Sequence, residues 1–125
     1  MATTRPPNKR LGNKIEEQRA EARDAPHTPG AEFYDVDDAN PVEVKTTAKT
    51  VESGDETRKG RYQLIGDNHQ KLAEAGGEYD FVLRDGEHVE VTTKTALEVD
   101  QIIDRQGLKW PQNSKLKLRY DLIHD

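Results

Sequence analysis

The run Val42-Glu43-Val44-Lys45 sets an acid and a base two residues apart among strand-forming neighbours. In a strand, residues two apart project from one face, so Glu43 and Lys45 point together while Val42 and Val44 point the other way. Such a pair has a definite chemical use. The carboxylate binds a hard cation such as Mg²⁺ or Mn²⁺, and the ammonium group orients, or helps to deprotonate, a water beside a phosphate. A second carboxylate is needed to fix the cation, and the preceding stretch offers Asp35, Asp37 and Asp38. Hairpin parity decides among them. A two-residue turn at Ala39-Asn40 pairs Val36 with Glu43 and puts Asp38 on the face of Glu43, whereas a bulge or an odd-length loop brings Asp35 opposite Glu43. Asp35 is favoured, because a carboxylate inside the apolar context Tyr34-Asp35-Val36 needs a reason to be there. Asp38 is the alternative. A Glu-x-Lys run on a strand is by itself weak, since exposed faces commonly alternate charges; the upstream acid and the surrounding elements give it weight.

Those elements can be read from local pattern. A helix is predicted from Arg10 to about Asp24, with Leu11, Ile15 and Ala22 as a narrow apolar stripe and Pro26 and Pro29-Gly30 ending it. Glu32 to Asp38 and Val42 to Thr47 read as two extended runs joined at Ala39-Asn40-Pro41, a β-hairpin. Lys49 to Gly60 reads as a polar loop, and Arg61 to Ile65 as a short strand or the lead into a helix. Asp67 and Gln70 suggest a capping box for a helix that Gly76-Gly77 stops. Tyr79 to Arg84 and His88 to Thr92 form a hairpin around Asp85-Gly86. Thr95 and Glu98 make a second capping box, for a helix carrying Val99, Ile102 and Ile103 and ending at Gly107. Lys115 to Leu122 alternates as a half-buried strand. The order α-β-β-loop-α-β-β-α-β specifies an α/β or α+β fold with a mixed sheet flanked by helices. The likeness of Val42-Glu43-Val44 to Val89-Glu90-Val91 extends no further and needs no repeat to explain it.

Composition bounds the rest. The chain has 125 residues, 32% of them hydrophobic and 34% charged, which fits one domain with a small core over residues 10–125 and a polar, disordered tail over residues 1–9. The net charge of −5 lowers non-specific attraction to nucleic acid without excluding a local basic patch. An acidic chain of this kind also suits a salt-rich cytoplasm such as that of a halophilic archaeon. With no cysteine, disulfides and thiolate metal sites are excluded. The first ten residues hold no apolar run of the kind a signal peptide needs, and no stretch approaches transmembrane length, so a cytoplasmic protein with no membrane partner is expected.

An acid on one strand, Glu-x-Lys on the next, then a helix and a further strand together resemble the PD-(D/E)XK nuclease superfamily, over roughly Leu11 to Leu83. More narrowly, Val42 to Lys45, Arg58-Lys59-Gly60-Arg61, the helix from Asn68 to Ala73 and the strand from Tyr79 to Leu83 look like small haloarchaeal proteins of that superfamily. The resemblance implies a restriction-endonuclease-like fold and a metal-dependent endonuclease hydrolysing DNA to a 5′-phosphate. It implies Asp35 and Glu43 as ligands of Mg²⁺ or Mn²⁺, the Val44 carbonyl beside them, and Lys45 as the catalytic lysine. In the branch resembling Holliday-junction resolvases a glutamate of the first helix joins the site; Glu17 or Glu16 matches it, and Glu17 is the expected one, acting through a water. Double-stranded or branched DNA is the implied substrate and a homodimer the implied assembly, with the terminal strand Leu116 to Leu122 as a possible pairing edge. Two departures stand out: no proline precedes Asp35, and only seven residues separate it from Glu43. The acidic composition and the short hairpin favour the alternative of an inactive nuclease-fold binding or assembly module.

Other candidates carry less. Lys49, Arg58, Lys59, Arg61 and Lys71 are the densest basic cluster, either a phosphate-contacting rim or a solvated surface. His27, His69, His88 and His124 lack metal-ligand spacing, and His69 reads as a surface residue near the DNA-facing helix. Trp110, Tyr120 and Phe81 read as core anchors.

Overall fold

A computed structural model describes residues 7–29, 31 and 33–124, without the side chains of residues 7–11 and 53. In chain order the elements are α1 (Pro7–Ala22), β1 (Val36–Asp37), β2 (Pro41–Ala48), β3 (Thr50–Ser53), β4 (Glu56–Lys59), β5 (Arg61–Ile65), α2 (Gly66–Glu74), β6 (Glu78–Asp85), β7 (His88–Thr95), α3 (Ala96–Arg105) and β8 (Lys115–Arg119), followed by a 3-10 turn at Tyr120–Leu122. The central sheet runs β1-β2-β6-β7, with β2 and β6 parallel and the outer pairs antiparallel. Two further ladders, β3-β4 and β5-β8, stand outside it. The mixed α+β fold is the one the sequence specifies.

The strict alternation of β2 and its neighbours divides the core into two layers. Val36, Val42, Val44 and Val82 face α1, which covers them with Ile15 and Ala20. The opposite face carries Tyr79 and Phe81 of β6, packed with Tyr62 and Leu64 of β5, Leu72 of α2, Val99, Ile102 and Ile103 of α3, and Leu116 and Leu118 of β8. Glu43 and Lys45 pair in register with Tyr79 and Phe81, so they belong to the second face.

Among the described side chains of α1 the buried apolar ones are Ile15 and Ala20, and charge secures the helix further. Asp80 of β6 is fully buried and accepts hydrogen bonds from Arg23 Nη2 at 2.6 Å, Arg23 Nε at 2.8 Å, Arg19 Nε at 3.0 Å and Thr93 Oγ1 at 2.8 Å. Burial alone would raise the Asp80 carboxyl, but the hydrogen bonds from Arg23, Arg19 and Thr93 outweigh it and hold the group below its ordinary range. Arg23 also reaches Glu78 at 2.8 Å and Asp38 at 2.9 Å.

Several local expectations change. Helix α1 starts at Pro7 rather than Arg10, and residues 1–6 of the expected tail lie outside the described residues. Ala22 is exposed and Ala20 buried, so the docked face is rotated from the expected stripe; the Leu11 side chain is outside the description. Lys49 to Gly60 is a ribbon, β3 paired with β4, turned at Gly54 with φ +64°. Thr50, Val51 and Thr57 supply the β-branched residues that polar composition masks. Helix α2 begins after Ile65 with no side-chain cap, and Gln70 bonds to Glu74 instead of the helix start. The Thr95–Glu98 capping box forms as its spacing predicts. The last strand ends at Arg119, three residues before Leu122.

Gly60 joins β4 to β5 where the chain passes against the end of β2. A Cβ there would collide with the Ala48 carbonyl oxygen and stand 2.7 Å from Thr47 Oγ1, so no side chain fits. This close approach seats β5 beside the strand that bears Glu43 and Lys45.

Candidate active site

The β1-β2 hairpin settles its own parity. Val36 pairs with Val42 and Asp37 with Pro41, leaving Asp38, Ala39 and Asn40 as a three-residue connection. Beyond Val36 the register is not continued: the Asp35 N–H donates at 2.7 Å to the carbonyl of the same Val42 that pairs with Val36, a bulge-like step that holds Asp35 against β2. The Asp35 carboxylate turns back onto β2, where Oδ2 accepts from the Val44 N–H at 2.8 Å. Lys45 Nζ lies 3.0 Å from Glu43 Oε1, the contact that alternation on one face predicts.

A third carboxyl comes from α1, and it belongs to Glu16. It hydrogen-bonds to Asp35 and is pushed up to about 8, first by burial, then by that hydrogen bond and the charge of Asp35; Lys45 opposes the shift and Glu43 adds to it. Glu43 is also raised, chiefly by burial and further by Asp35, with Lys45 pulling the other way. Four groups thus converge: Glu16, Asp35, Glu43 and Lys45. At neutral pH the Glu16 proton is shared toward Asp35, so the acids do not all carry charge at once.

Two expected members stand elsewhere. Glu17 is exposed and lines an open groove with Glu21, Asp24 and His27. At about 100° per residue it points roughly 200° away from buried Ile15, whereas Glu16 flanks the docked face. Asp38 lies at the hairpin tip, held below its usual range by the Ala39 N–H first and by Arg23 second. It joins the Arg23 network rather than the acid cluster.

The basic candidates spread over the ribbon and its base. Lys49 faces Asp85 at 3.6 Å and Lys59 faces Asp121 at 3.1 Å. Arg58 on β4 and Arg61 on β5 are exposed, and Lys71 is half-buried on α2. All four residues of β4 are solvated, so the ribbon stands out from the body. Its tip is acidic, with Glu52, Asp55 and Glu56, and its base is basic.

His69 is not a surface residue. It is 5% exposed, between Tyr79 and Asp100, and lies three positions before Leu72 on the apolar side of α2, a spacing that signals burial. Asp80 also escaped the sequence reading, although its place between Tyr79 and Phe81 gives the same signal that singles out Asp35.

Fit to a divalent cation rests on donor type and charge. Glu16, Asp35 and Glu43 offer hard oxygen donors; burial first, and their mutual repulsion after it, raises Glu16 and Glu43, and a cation would offset both. Among the described residues no three His, Asp or Glu side chains are pre-arranged around one metal position, because Glu43 leans to Lys45 and Asp35 to the Val44 N–H. Among the same residues no helix is long and apolar enough to cross a membrane.

No curated protein and no solved structure matches the chain. A family model described as the PD-(D/E)XK nuclease superfamily domain matches residues 1–119, which takes in every element from α1 to β8. The chain belongs to the PD-(D/E)XK nuclease superfamily.

Proposed function

We propose that this protein is a divalent-metal-dependent DNA endonuclease whose centre is Asp35, Glu43 and Lys45 with Glu16 in support. The observation that carries the reading is the convergence of three carboxyl groups and one ammonium group at the β1-β2 hairpin. Asp35 and Glu43 would hold Mg²⁺ or Mn²⁺, which supplies a polarised water and neutralises charge at the phosphate. Lys45, two residues from Glu43 on the same face, orients the attacking water and faces the phosphate oxygens. Glu16 keeps a proton near neutral pH and holds Asp35 in place, and on ionising becomes a further anchor for water. The Val44 N–H fixes the Asp35 carboxylate, so its direction is set by the backbone of β2. Lys49, Arg58, Lys59 and Arg61, at the base of the ribbon beyond β2, would bind the DNA backbone, with Lys71 on the neighbouring helix. Cutting both strands of a duplex takes two centres, so the reading includes a homodimer, with the edge of β8 away from β5 as the pairing surface.

A second reading, a nuclease fold kept for binding or assembly, is favoured by the Glu43–Lys45 contact, which occupies one donor of the centre. Cleavage assays separate the two. Supercoiled, linear and branched DNA are incubated with Mg²⁺ or Mn²⁺ at low and high salt, using wild-type protein, Glu43→Ala and Lys45→Ala. Cleavage by wild type that falls more than about a hundredfold in either variant supports the endonuclease. Absence of cleavage in every condition, with metal binding unaltered by Glu43→Ala, refutes it, and DNA retention without cutting supports the second reading.

A further inference from the structure

The segment that follows α1 is tied to the hairpin that carries Asp35. The Thr28 N–H donates to the Asp35 carbonyl at 2.8 Å and the Asp37 N–H to the Pro26 carbonyl at 3.0 Å, so His27 and Val36 form an antiparallel bridge. This pairing fixes the backbone of His27, and its ring meets α1, where Nε2 lies 3.8 Å from Glu16 Oε2. Glu16 in turn hydrogen-bonds to Asp35, so the ring touches the acid cluster at its α1 edge.

His27 Nε2 is enclosed and has no hydrogen-bond partner among the described residues, and the same holds for Oγ1 of the adjoining Thr28. At 3.8 Å the Glu16 oxygen is too far for a hydrogen bond. The other histidines differ. His69 is bonded through both ring nitrogens, to Tyr79 and Asp100, and His124 through both, to Tyr62 and Thr92, while His88 is exposed. An enclosed imidazole nitrogen without a partner is desolvated with no return, and packing alone does not call for it. With its proton on Nδ1, the neutral ring presents a lone pair at Nε2. Two donors 3.8 Å apart can share one cation held about 2.1 Å from each. An ion that keeps several of its waters needs no more protein donors than these. The approach is open as well: His27 lines a groove walled by Glu17, Glu21 and Asp24, whose charge draws cations.

Resting on the reading of the acid cluster as a cation centre, we propose that His27 is a nitrogen ligand of that centre, holding with Glu16 a divalent first-row transition ion beside Asp35. Taking up the ion releases the proton that Glu16 holds near neutral pH. Mg²⁺ gains little from an imidazole, so the pair selects Mn²⁺ over Mg²⁺.

The test is pulsed electron paramagnetic resonance of Mn²⁺ bound to the full chain, with calorimetric titration of Mn²⁺ and Mg²⁺ and urea unfolding alongside. Wild type is expected to show nitrogen coupling to Mn²⁺ that changes on labelling with ¹⁵N-histidine and disappears in His27→Gln. The same variant is expected to weaken Mn²⁺ binding at least about tenfold and to leave Mg²⁺ binding unchanged. Coupling that persists in His27→Gln, or that vanishes in His88→Gln, overturns the proposal. Equal weakening of both ions with a lowered unfolding midpoint assigns His27 to packing and also overturns it. If His27→Gln folds poorly, labelled wild type and His88→Gln decide, because His69 and His124 have both ring nitrogens engaged. Mn²⁺ binding that is lost in Glu43→Ala but shows no nitrogen coupling in wild type overturns the His27 ligand and leaves the reading of the centre standing. A wild-type protein that binds no Mn²⁺ overturns both.

Discussion

Replacing Glu16 by Gln tests the acid cluster without cleavage chemistry. Glu16 titrates near 4.5 in the unfolded chain and at about 8 in the folded one. Between those values the folded chain keeps a proton that the unfolded chain has released. Stability contributed by the protonated group is therefore fully present below about pH 4.5 and is lost as pH rises through about 8. At about 1.4 kcal/mol per tenfold change in acidity, a displacement from 4.5 to about 8 sets a ceiling of about 5 kcal/mol. The Glu16 side chain keeps 18% of its exposure, and Lys45 compensates part of its charge, which brings the expected effect to about 1–3 kcal/mol. Gln has the same shape, still donates to Asp35 and never ionises. Urea unfolding in EDTA, from about pH 5.5 to about pH 8.5, should show Glu16→Gln gaining that amount over wild type as pH rises. Glu17→Gln is the control and should track wild type, because Glu17 is solvated on the far side of α1. If Glu16→Gln and wild type run parallel across the whole range, the acids do not interact as described and the cluster is wrongly assembled.

Two further outcomes follow from the scaffold. Asp80→Ala strands Arg19 and Arg23, whose side chains are 23% and 14% exposed; breaking a buried pair costs about 3–5 kcal/mol. The lower end applies, because Arg23 retains Asp38 and Glu78, and denaturant unfolding at neutral pH measures the loss. Gly60→Ala must push the chain off the Ala48 carbonyl and should cost at least about 2 kcal/mol, read from the thermal midpoint.

Periodicity made the β2 pair legible. Strict alternation places Glu43 and Lys45 together from sequence alone, and hairpin parity allows two outcomes, of which the three-residue connection realises one. The Thr95–Glu98 box was legible because its signal is local. What escaped depends on how elements are turned against one another. Choosing Glu16 over Glu17 requires the rotational phase of α1, which Ile15 alone indicates weakly and Ala20 confirms only once docked. The β3-β4 ribbon was hidden because all four residues of β4 are solvated, so no apolar alternation marks it. The polar partners of His69 come from β6 and α3, 10 and 31 residues away, and no short spacing announces such a meeting.

The arginine clamp on Asp80 gives the site a lifetime of its own. Helix α1 brings Glu16 to the cluster, and among its described side chains the buried apolar ones are Ile15 and Ala20. When the helix lifts away, Arg19, Arg23 and Asp80 all regain water, which offsets much of the lost pairing. Opening of this one segment is therefore less costly than global unfolding, and the α1 amides should exchange with deuterium ahead of those in β2 and β6. The fraction of molecules holding a complete acid cluster is set by that local equilibrium, and a bound ligand bridging α1 to the β1-β2 hairpin would register as slowed exchange along the helix.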